Sequence, residues 1–345
     1  RSIIGAQSLI NAGIPNKVVA LKDGTMGWEL AGFECEQGQT RLAGPPTANG
    51  LVKAFNAAQA VAERFGVETI DLPGLEAWMK EEGRTTFLLD VRSPEEYLAG
   101  HLPGSVGAPG GQLVQATDEY VGVRNARIVL VDDNGVRARM TASWLIQLGW
   151  PDVRVLDGGL DAFELEKGPK RTLVPGMANW PTIDPATAKA ALDADPGPDP
   201  KFGGGIGVLD LADSLTHRDK GHVPGAWWGV RARLAEAAEK MPDIDTLILV
   251  SPDGALARLA APEAAGIWDA AQVLVLDGGT RAWQAAGLPV ETGIDRPTTA
   301  ADDIWYKPYD HPGEVRDKMQ GYLDWEVALV EQMERDGTVS FRRYD

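Results

Sequence analysis

The chain repeats its own sequence, and an internal repeat limits the possible folds more than any other feature here. Arg137 is followed by an apolar-periodic stretch to Gly149, then by the strand-like VRVL and by DGG. Arg1 is followed at the same spacing by Gly13, then by KVVAL and KDG. A third copy follows LILVSPDGALA and ends in QVLVL and DGG. These three segments are therefore predicted to form the same half of one structural unit.

The preceding halves of two units repeat as well. Residues 87–109, FLLDVRSPEEYLAGHLPGSVGAP, correspond to residues 207–229, GVLDLADSLTHRDKGHVPGAWWG. In both, an apolar strand ends in an acid and is followed by a short helix and a GHxPG turn. Strands rich in Val, Leu and Ile that alternate with helices predict α/β domains with parallel sheets.

The repeats divide the chain into five segments. Two complete units are predicted at 67–172 and 177–293, and the C-terminal half of a third at 1–44. Within that half, a strand at 17–21 is expected to pair with strands outside the chain. A linker helix is predicted within 45–66, and the tail at 294–345 should contain an amphipathic helix that ends before Gly337.

Composition restricts the partners that such a chain can have. The 345 residues carry a net charge of −17, which argues against broad binding of nucleic acid or of an anionic membrane. No apolar stretch is long enough to cross a bilayer. The single cysteine, Cys35, excludes an intrachain disulfide and a CxxC metal site and agrees with a cytoplasmic location. Small molecules and proteins are the partners expected.

Two loops each join an apolar strand directly to a helix. The first loop, residues 132–137, reads DDNGVR, and the second loop, residues 251–256, reads SPDGAL. A glycine-containing turn of this kind directs backbone N–H groups and the positive end of a helix at one point, which suits an anion. The two acids that begin the first loop oppose that use.

The order of these motifs resembles the rhodanese family over nearly the whole chain. The resemblance is carried by LLDVR, GHLPGS, a strand before a six-residue loop ending in Arg137, and DGG before a final helix. It implies tandem domains, each a parallel five-stranded sheet with helices on both faces. It also implies that a loop cysteine accepts sulfane sulfur from a small anion such as thiosulfate, becomes a persulfide and passes the sulfur to cyanide or a thiol. No cofactor or metal is expected.

The sequence departs from the family at the nucleophile. Asp132 stands at the cysteine position of the first loop, which keeps the family's glycine and arginine. Ser251 stands there in the second loop, where Leu256 replaces the arginine. Catalysis by either complete domain is therefore not expected. The altered loop residues are Asp132, Asp133, Asn134, Gly135, Val136, Arg137, Ser251, Asp253, Gly254 and Leu256.

Asp132 is expected to fill the first loop with its own charge by accepting hydrogen bonds from the loop N–H groups. Two alternatives remain open, an acceptor nucleophile or half of a metal site with Asp133. The metal site is disfavoured because adjacent side chains point apart and no further ligand cluster is visible. Ser251 is expected to act as a helix cap.

The beginning of the chain gives a further prediction. Arg1 and Ser2 align with the end of an anion-binding loop, so the nucleophile position of that unit precedes Arg1. We therefore expect the N-terminal half of this domain outside the chain, in a parent sulfurtransferase that is active there. A non-catalytic scaffold built from inactive rhodanese folds is the alternative.

Several reactive side chains are expected to be structural. Cys35 aligns away from the loops. His101 and His222 occupy matching turns and are expected to brace them. The resemblance implies that Asp90 and Arg92 form an ion pair at the end of a strand.

Overall fold

Within the two predicted complete units, strands and helices alternate where the runs of Val, Leu and Ile predicted them. The structure is a computed structural model that describes residues 2–41, 43–160, 163–168, 177, 179–195, 204–311 and 313–344. The chain divides into a first unit, residues 1–171 with 316–345, and a second unit, residues 172–315. The predicted domain end at residue 172 lies outside the described residues, as does Arg1.

The first unit contains a parallel five-stranded sheet in the order β1-β5-β4-β2-β3. Its elements in chain order are α1 (Ser2–Asn11), α2 (Gly24–Leu30), α3 (Ala48–Phe65), β1 (Glu68–Ile70), α4 (Leu72–Lys80), β2 (Thr86–Asp90), α5 (Pro94–Ala99), β3 (Val106–Gly107), α6 (Gly110–Gln115), α7 (Thr117–Tyr120), β4 (Arg127–Val131), α8 (Val136–Gln147) and β5 (Asp152–Leu156).

The second unit contains a sheet of the same topology, in the order β6-β10-β9-β7-β8. Its elements are β6 (Thr182–Ile183), α9 (Pro185–Ala194), β7 (Ile206–Asp210), α10 (Ser214–Lys220), β8 (Trp227–Trp228), α11 (Leu234–Lys240), β9 (Thr246–Val250), α12 (Ala255–Ile267), β10 (Gln272–Leu276) and α13 (Gly279–Ala285). The predicted pair of parallel α/β sheets is confirmed.

The register of the central strands places both loops at equivalent points. Asp90 at the end of β2 lies beside Val131 at the end of β4, and Asp210 lies beside Val250 in the same way. Because parallel strands end at the same edge of a sheet, each loop begins next to a strand-end acid. The strand residues are apolar and buried, so burial of both sheet faces fixes these positions.

Helices outside the sheets follow local signals in the sequence. In α3, the Thr47 side chain accepts a hydrogen bond from the Gly50 N–H, and Gly66 ends the helix at a φ of 69°. The last helix, α14 (Val315–Asp336), lies within the predicted tail. No helix in the described part of the chain is both long enough and apolar enough to cross a membrane.

The N-terminal segment differs from the sequence prediction. Residues 17–21 form no strand. Val19 is 74% exposed, so the first unit does not cover this apolar side chain. A strand needs a neighbour for its N–H and C=O groups. The predicted pairing to strands outside the chain remains a prediction.

Candidate functional site

The first loop is held in a narrow backbone turn. Gly135 has a φ of 74° and precedes α8, in a conformation that L side chains rarely adopt. Gly159 of the DGG motif, with a φ of 64°, lies directly behind the loop. A Cβ on Gly159 would lie 2.9 Å from the Asp133 carbonyl oxygen. Glycines at both points therefore let the loop close around a single side chain.

That side chain is Asp132, which is only 2% exposed. Its Oδ1 accepts a hydrogen bond from the Gly135 N–H at 2.6 Å. Its Oδ2 accepts from the N–H groups of Arg137 at 2.8 Å and Ala138 at 3.1 Å. The predicted hydrogen bonds from the loop to the carboxylate are thus confirmed, and the donors that could hold an anion are occupied.

Two opposing effects act on the ionisation of Asp132. Burial raises the pKa of its carboxyl above the usual range, and the Asp133 charge adds to the rise. The three N–H donors act in the opposite direction without cancelling the burial. A second anion in the loop would meet this carboxylate at close range, so the loop disfavours anions when Asp132 is ionised.

Arg137 is paired with two carboxylates. Its Nη1 lies 2.7 Å from Glu96 Oε2, and its Nη2 lies 3.0 Å from both Glu96 Oε1 and Asp133 Oδ1. The hydrogen bonds from Arg137 lower the pKa of Glu96 to about 2, and Glu96 in turn raises the pKa of Arg137. The arginine therefore has little uncompensated charge to offer an anionic ligand.

The linker helix α3 packs against the start of α8. The Arg139 guanidinium lies 4.9 Å from the ring centroid of Phe55. It also donates from Nε to Gln59 Oε1 at 3.1 Å and from Nη1 to the Gly135 carbonyl at 3.0 Å. Asn134 stabilises the same turn, because its Oδ1 accepts from the Val136 N–H at 3.1 Å. Side chains of α3, of α8 and of the loop itself thus fix the first loop.

The second loop has the same frame and a different occupant. Gly254 has a φ of 81° and is the N-cap residue of α12. Ser251 is fully buried, and its Oγ accepts from the Ala257 N–H at 3.2 Å, so it acts as a cap from three residues before the N-cap position. Asp253 Oδ1 accepts from the Ala255 N–H at 3.0 Å. Leu256 packs against the apolar core.

Comparisons with known proteins agree with this arrangement. A sequence model of the rhodanese-like domain matches residues 74–166. The thiosulfate sulfurtransferase GlpE of Pseudoalteromonas translucida is 32% identical over 77 residues, which are 22% of this chain and 71% of that protein. The chain belongs to the rhodanese family.

A solved rhodanese structure extends the likeness to the whole chain. The thiosulfate sulfurtransferase of Pseudomonas aeruginosa is 48% identical, with a TM-score of 0.89 over 100% of this chain. This chain spans 63% of the length of that protein. SseB of Mycobacterium tuberculosis is 29% identical in a match of 191 aligned positions that covers 44% of this chain and 66% of SseB.

The strand-end acids of the two rhodanese domains have different partners. Arg92 binds Asp90 through two nitrogens, with Nη2 2.6 Å from Oδ2 and Nε 3.0 Å from Oδ1. This is the ion pair that the family resemblance implied. In the second domain Ala212 stands at the arginine position, and His217 Nδ1 lies 2.8 Å from Asp210 Oδ2.

Sequence reasoning missed a pair of stacked imidazoles in the second domain. His217 and His222 lie 3.6 Å apart with an angle of 6° between the rings, and both are at most 5% exposed. His101 of the first domain stacks on Tyr97 in the equivalent place, 3.9 Å apart. The signal in the sequence was an aromatic residue seven positions after each strand-end acid. Both predicted turn histidines donate a hydrogen bond from Nδ1 to a backbone carbonyl oxygen, His101 to Tyr97 at 2.9 Å and His222 to His217 at 3.0 Å.

Other candidate residues lie away from the loops. Cys35 is half-buried after α2, and burial together with the Glu29 carboxylate raises the pKa of its thiol. Such a thiol is mostly protonated near neutral pH, which opposes nucleophilic use. Ser2, the second residue of the predicted N-terminal anion loop, is exposed at the start of α1. Among the described residues, no cluster of three potential metal ligands occurs.

Proposed function

We propose that this chain supplies two non-catalytic rhodanese domains to a sulfurtransferase that moves sulfane sulfur from thiosulfate to a thiophilic acceptor. The observation that carries the proposal is the Asp132 carboxylate, which occupies three loop N–H groups. In the reaction, a cysteine thiolate forms an S–S bond to the outer sulfur of thiosulfate and sulfite leaves. Cyanide then takes that sulfur as thiocyanate and the thiolate returns. Asp132 can neither form this bond nor leave the donors free.

The names of two relatives support the reaction. The Pseudomonas aeruginosa protein and GlpE of Pseudoalteromonas translucida are both thiosulfate sulfurtransferases. The 48% identity to the first covers the whole of this chain, including both altered loops. The reaction is therefore proposed for a protein that contains this chain, with the chemistry outside its two complete domains.

The thiol is proposed to lie ahead of Arg1. The spacing from Arg1 to Gly13 matches that from Arg137 to Gly149, so Arg1 corresponds to the last residue of a rhodanese loop. The nucleophile would then stand five residues earlier, in the first half of the domain whose second half is residues 1–44. The exposed Val19 and Phe33, at 74% and 56%, are apolar positions that such a half would cover.

A non-catalytic scaffold is the second candidate function. It is favoured by the second loop, where Ser251 and Leu256 replace both the nucleophile and the arginine of the family. Two domains that lost the same chemistry while keeping buried sheets can serve as a packing or docking surface. Under this reading, no part of the protein transfers sulfur.

Thiocyanate formation from thiosulfate and cyanide separates the two functions. We expect the 345-residue chain to equal its Cys35→Ser variant, both at the level of the uncatalysed reaction. A polypeptide extended through the domain half ahead of Arg1 should be active, and changing its loop cysteine to serine should abolish that activity. Turnover by the 345-residue chain that Cys35→Ser removes would overturn the proposal. An inactive extended polypeptide would favour the scaffold.

A further inference from the structure

The first unit contains a pocket that sulfur transfer does not explain. It has a volume of about 210 Å³ and lies between α1, α6 and α8. Trp144 forms one wall, and its indole N–H donates to Ser8 Oγ at 2.9 Å. Ser8 Oγ in turn donates to the Ile4 carbonyl at 2.8 Å, which fixes this side of the pocket. We propose that the pocket binds a small uncharged molecule with an apolar body and one hydrogen-bonding group.

Glycines keep the pocket open. A Cβ on Gly5 of α1 or on Gly111 of α6 would meet no atom within 4 Å. Neither glycine has a positive φ, so the backbone does not require glycine there. Glycine within a helix is destabilising relative to alanine. The structural result of both glycines is empty space where a side chain would otherwise stand.

A third glycine allows two helices of the pocket to lie close together. A Cβ on Gly110 would lie 2.3 Å from Thr141 Oγ1, so glycine is needed for α6 to approach α8. Thr141 is 6% exposed, and its hydroxyl makes no hydrogen bond within the described part of the chain. The Thr141 Oγ1 atom is not completely enclosed by protein, so it faces the open space of the pocket that Thr141 lines. A ligand group could satisfy this hydroxyl.

The lining defines the chemistry of the ligand. Ile4, Val114, Met140 and Trp144 supply apolar surface, and no residue that lines the pocket is charged. The chain has a net charge of −17, so a pocket lined only by uncharged residues differs in charge from the rest of the molecule. An ion would lose its water without gaining a partner of opposite charge. A neutral molecule would lose little and gain contact with the indole and the thioether.

The test uses three probes of nearly equal shape on the 345-residue chain. We expect benzyl alcohol to bind with a Kd of about 1 mM, as suits a ligand of this size. Benzoate and benzylammonium should bind at least about tenfold more weakly, because each would bury a charge without a partner. Binding is measured by ligand-observed NMR, and competition by calorimetric titration.

Variants connect the binding to the pocket. Gly111→Leu should fill the open space from α6 and abolish binding, and Gly5→Leu should do the same from α1. Gly83→Leu is the matched control, since its Cβ also meets nothing within 4 Å but lies in an exposed turn before β2. Thr141→Val should weaken benzyl alcohol more than toluene.

The inference is wrong if benzyl alcohol binding survives both Gly111→Leu and Gly5→Leu in folded protein, or if benzoate binds equally well. Absence of binding by benzyl alcohol to the unaltered chain would also overturn it. None of these results depends on thiocyanate formation, so they leave the proposed sulfur chemistry to its own test.

Discussion

The two loops share one backbone frame and differ in what fills it. In the first, Asp132 accepts hydrogen bonds from three N–H groups, whereas Ser251 in the second accepts from one. The glycines at the fourth position of the loops, Gly135 and Gly254, have φ values of 74° and 81°, so the frames are nearly the same. The comparison shows that the same backbone frame forms around an aspartate and around a serine. Each new side chain then determines how many donors are used.

Removal of the side chain should affect the first loop more than the second. Asp132→Ala leaves three buried N–H groups without an acceptor and should lower the free energy of unfolding by about 3 kcal/mol. Ser251→Ala leaves one such N–H group without an acceptor and should lower the free energy of unfolding by about 1 kcal/mol. Urea unfolding followed by hydrogen exchange and mass spectrometry would assign each loss to its domain. Equal losses would contradict the difference between the loops.

A cysteine placed in each loop should report the same difference through its pKa. In a Cys35→Ser background, Asp132→Cys should give a thiol whose pKa is lower by about one unit or more than that of Ser251→Cys. The reason is that three N–H donors stabilise a thiolate better than one. The ultraviolet absorbance of the thiolate against pH measures both. A lower pKa at position 251 would show that the donor count does not control these loops.

The Glu96 and Arg137 pair should contribute a smaller effect. Both side chains are more than a third exposed, at 40% and 38%, so water screens the pair. We expect Glu96→Gln to cost about 0.5–1 kcal/mol at pH 7. The pKa of Glu96 in the folded state is about 2, below its usual value of 4.5. Its contribution is therefore present above pH 4.5 and is lost as the pH falls towards 2. Unfolding of the chain and variant across this range measures it.

The stacked histidines should give the second domain a weak pH dependence. Burial lowers the pKa of His222 from its usual value of 6.5, and the neighbouring His217 ring acts in the same direction, while the Asp210 and Glu291 carboxylates act in the opposite one. A lowered histidine pKa means that the unfolded state binds the proton more tightly. Stability is thus complete above about pH 6.5 and declines as the pH falls below it. His222→Phe should reduce this decline, and an unchanged slope in urea unfolding would refute the assignment.

The sequence allowed much of this arrangement to be predicted, because the repeat and the apolar strands carry it. The Asp132 hydrogen bonds followed from an acid at the start of a strand-to-helix turn. The partners of Arg137 did not, since Glu96 is distant in sequence and its approach depends on how α5 packs. The replacement of an arginine by His217 as the partner of Asp210 also needed tertiary contacts to be seen. The sequence also predicted a strand at 17–21 that the structure does not form, since a run of apolar residues does not by itself show that a neighbouring strand is present.

We propose that Asp132 occupies the first loop in place of a sulfur anion. Titration of the 345-residue chain with thiosulfate, followed through the backbone amide NMR signals of Gly135, Arg137 and Ala138, measures whether the loop is free. We expect these three signals to move no further than they do at an equal ionic strength of sodium chloride. Saturable shifts of the three amides with thiosulfate alone would show that the loop admits the anion and that Asp132 does not block it.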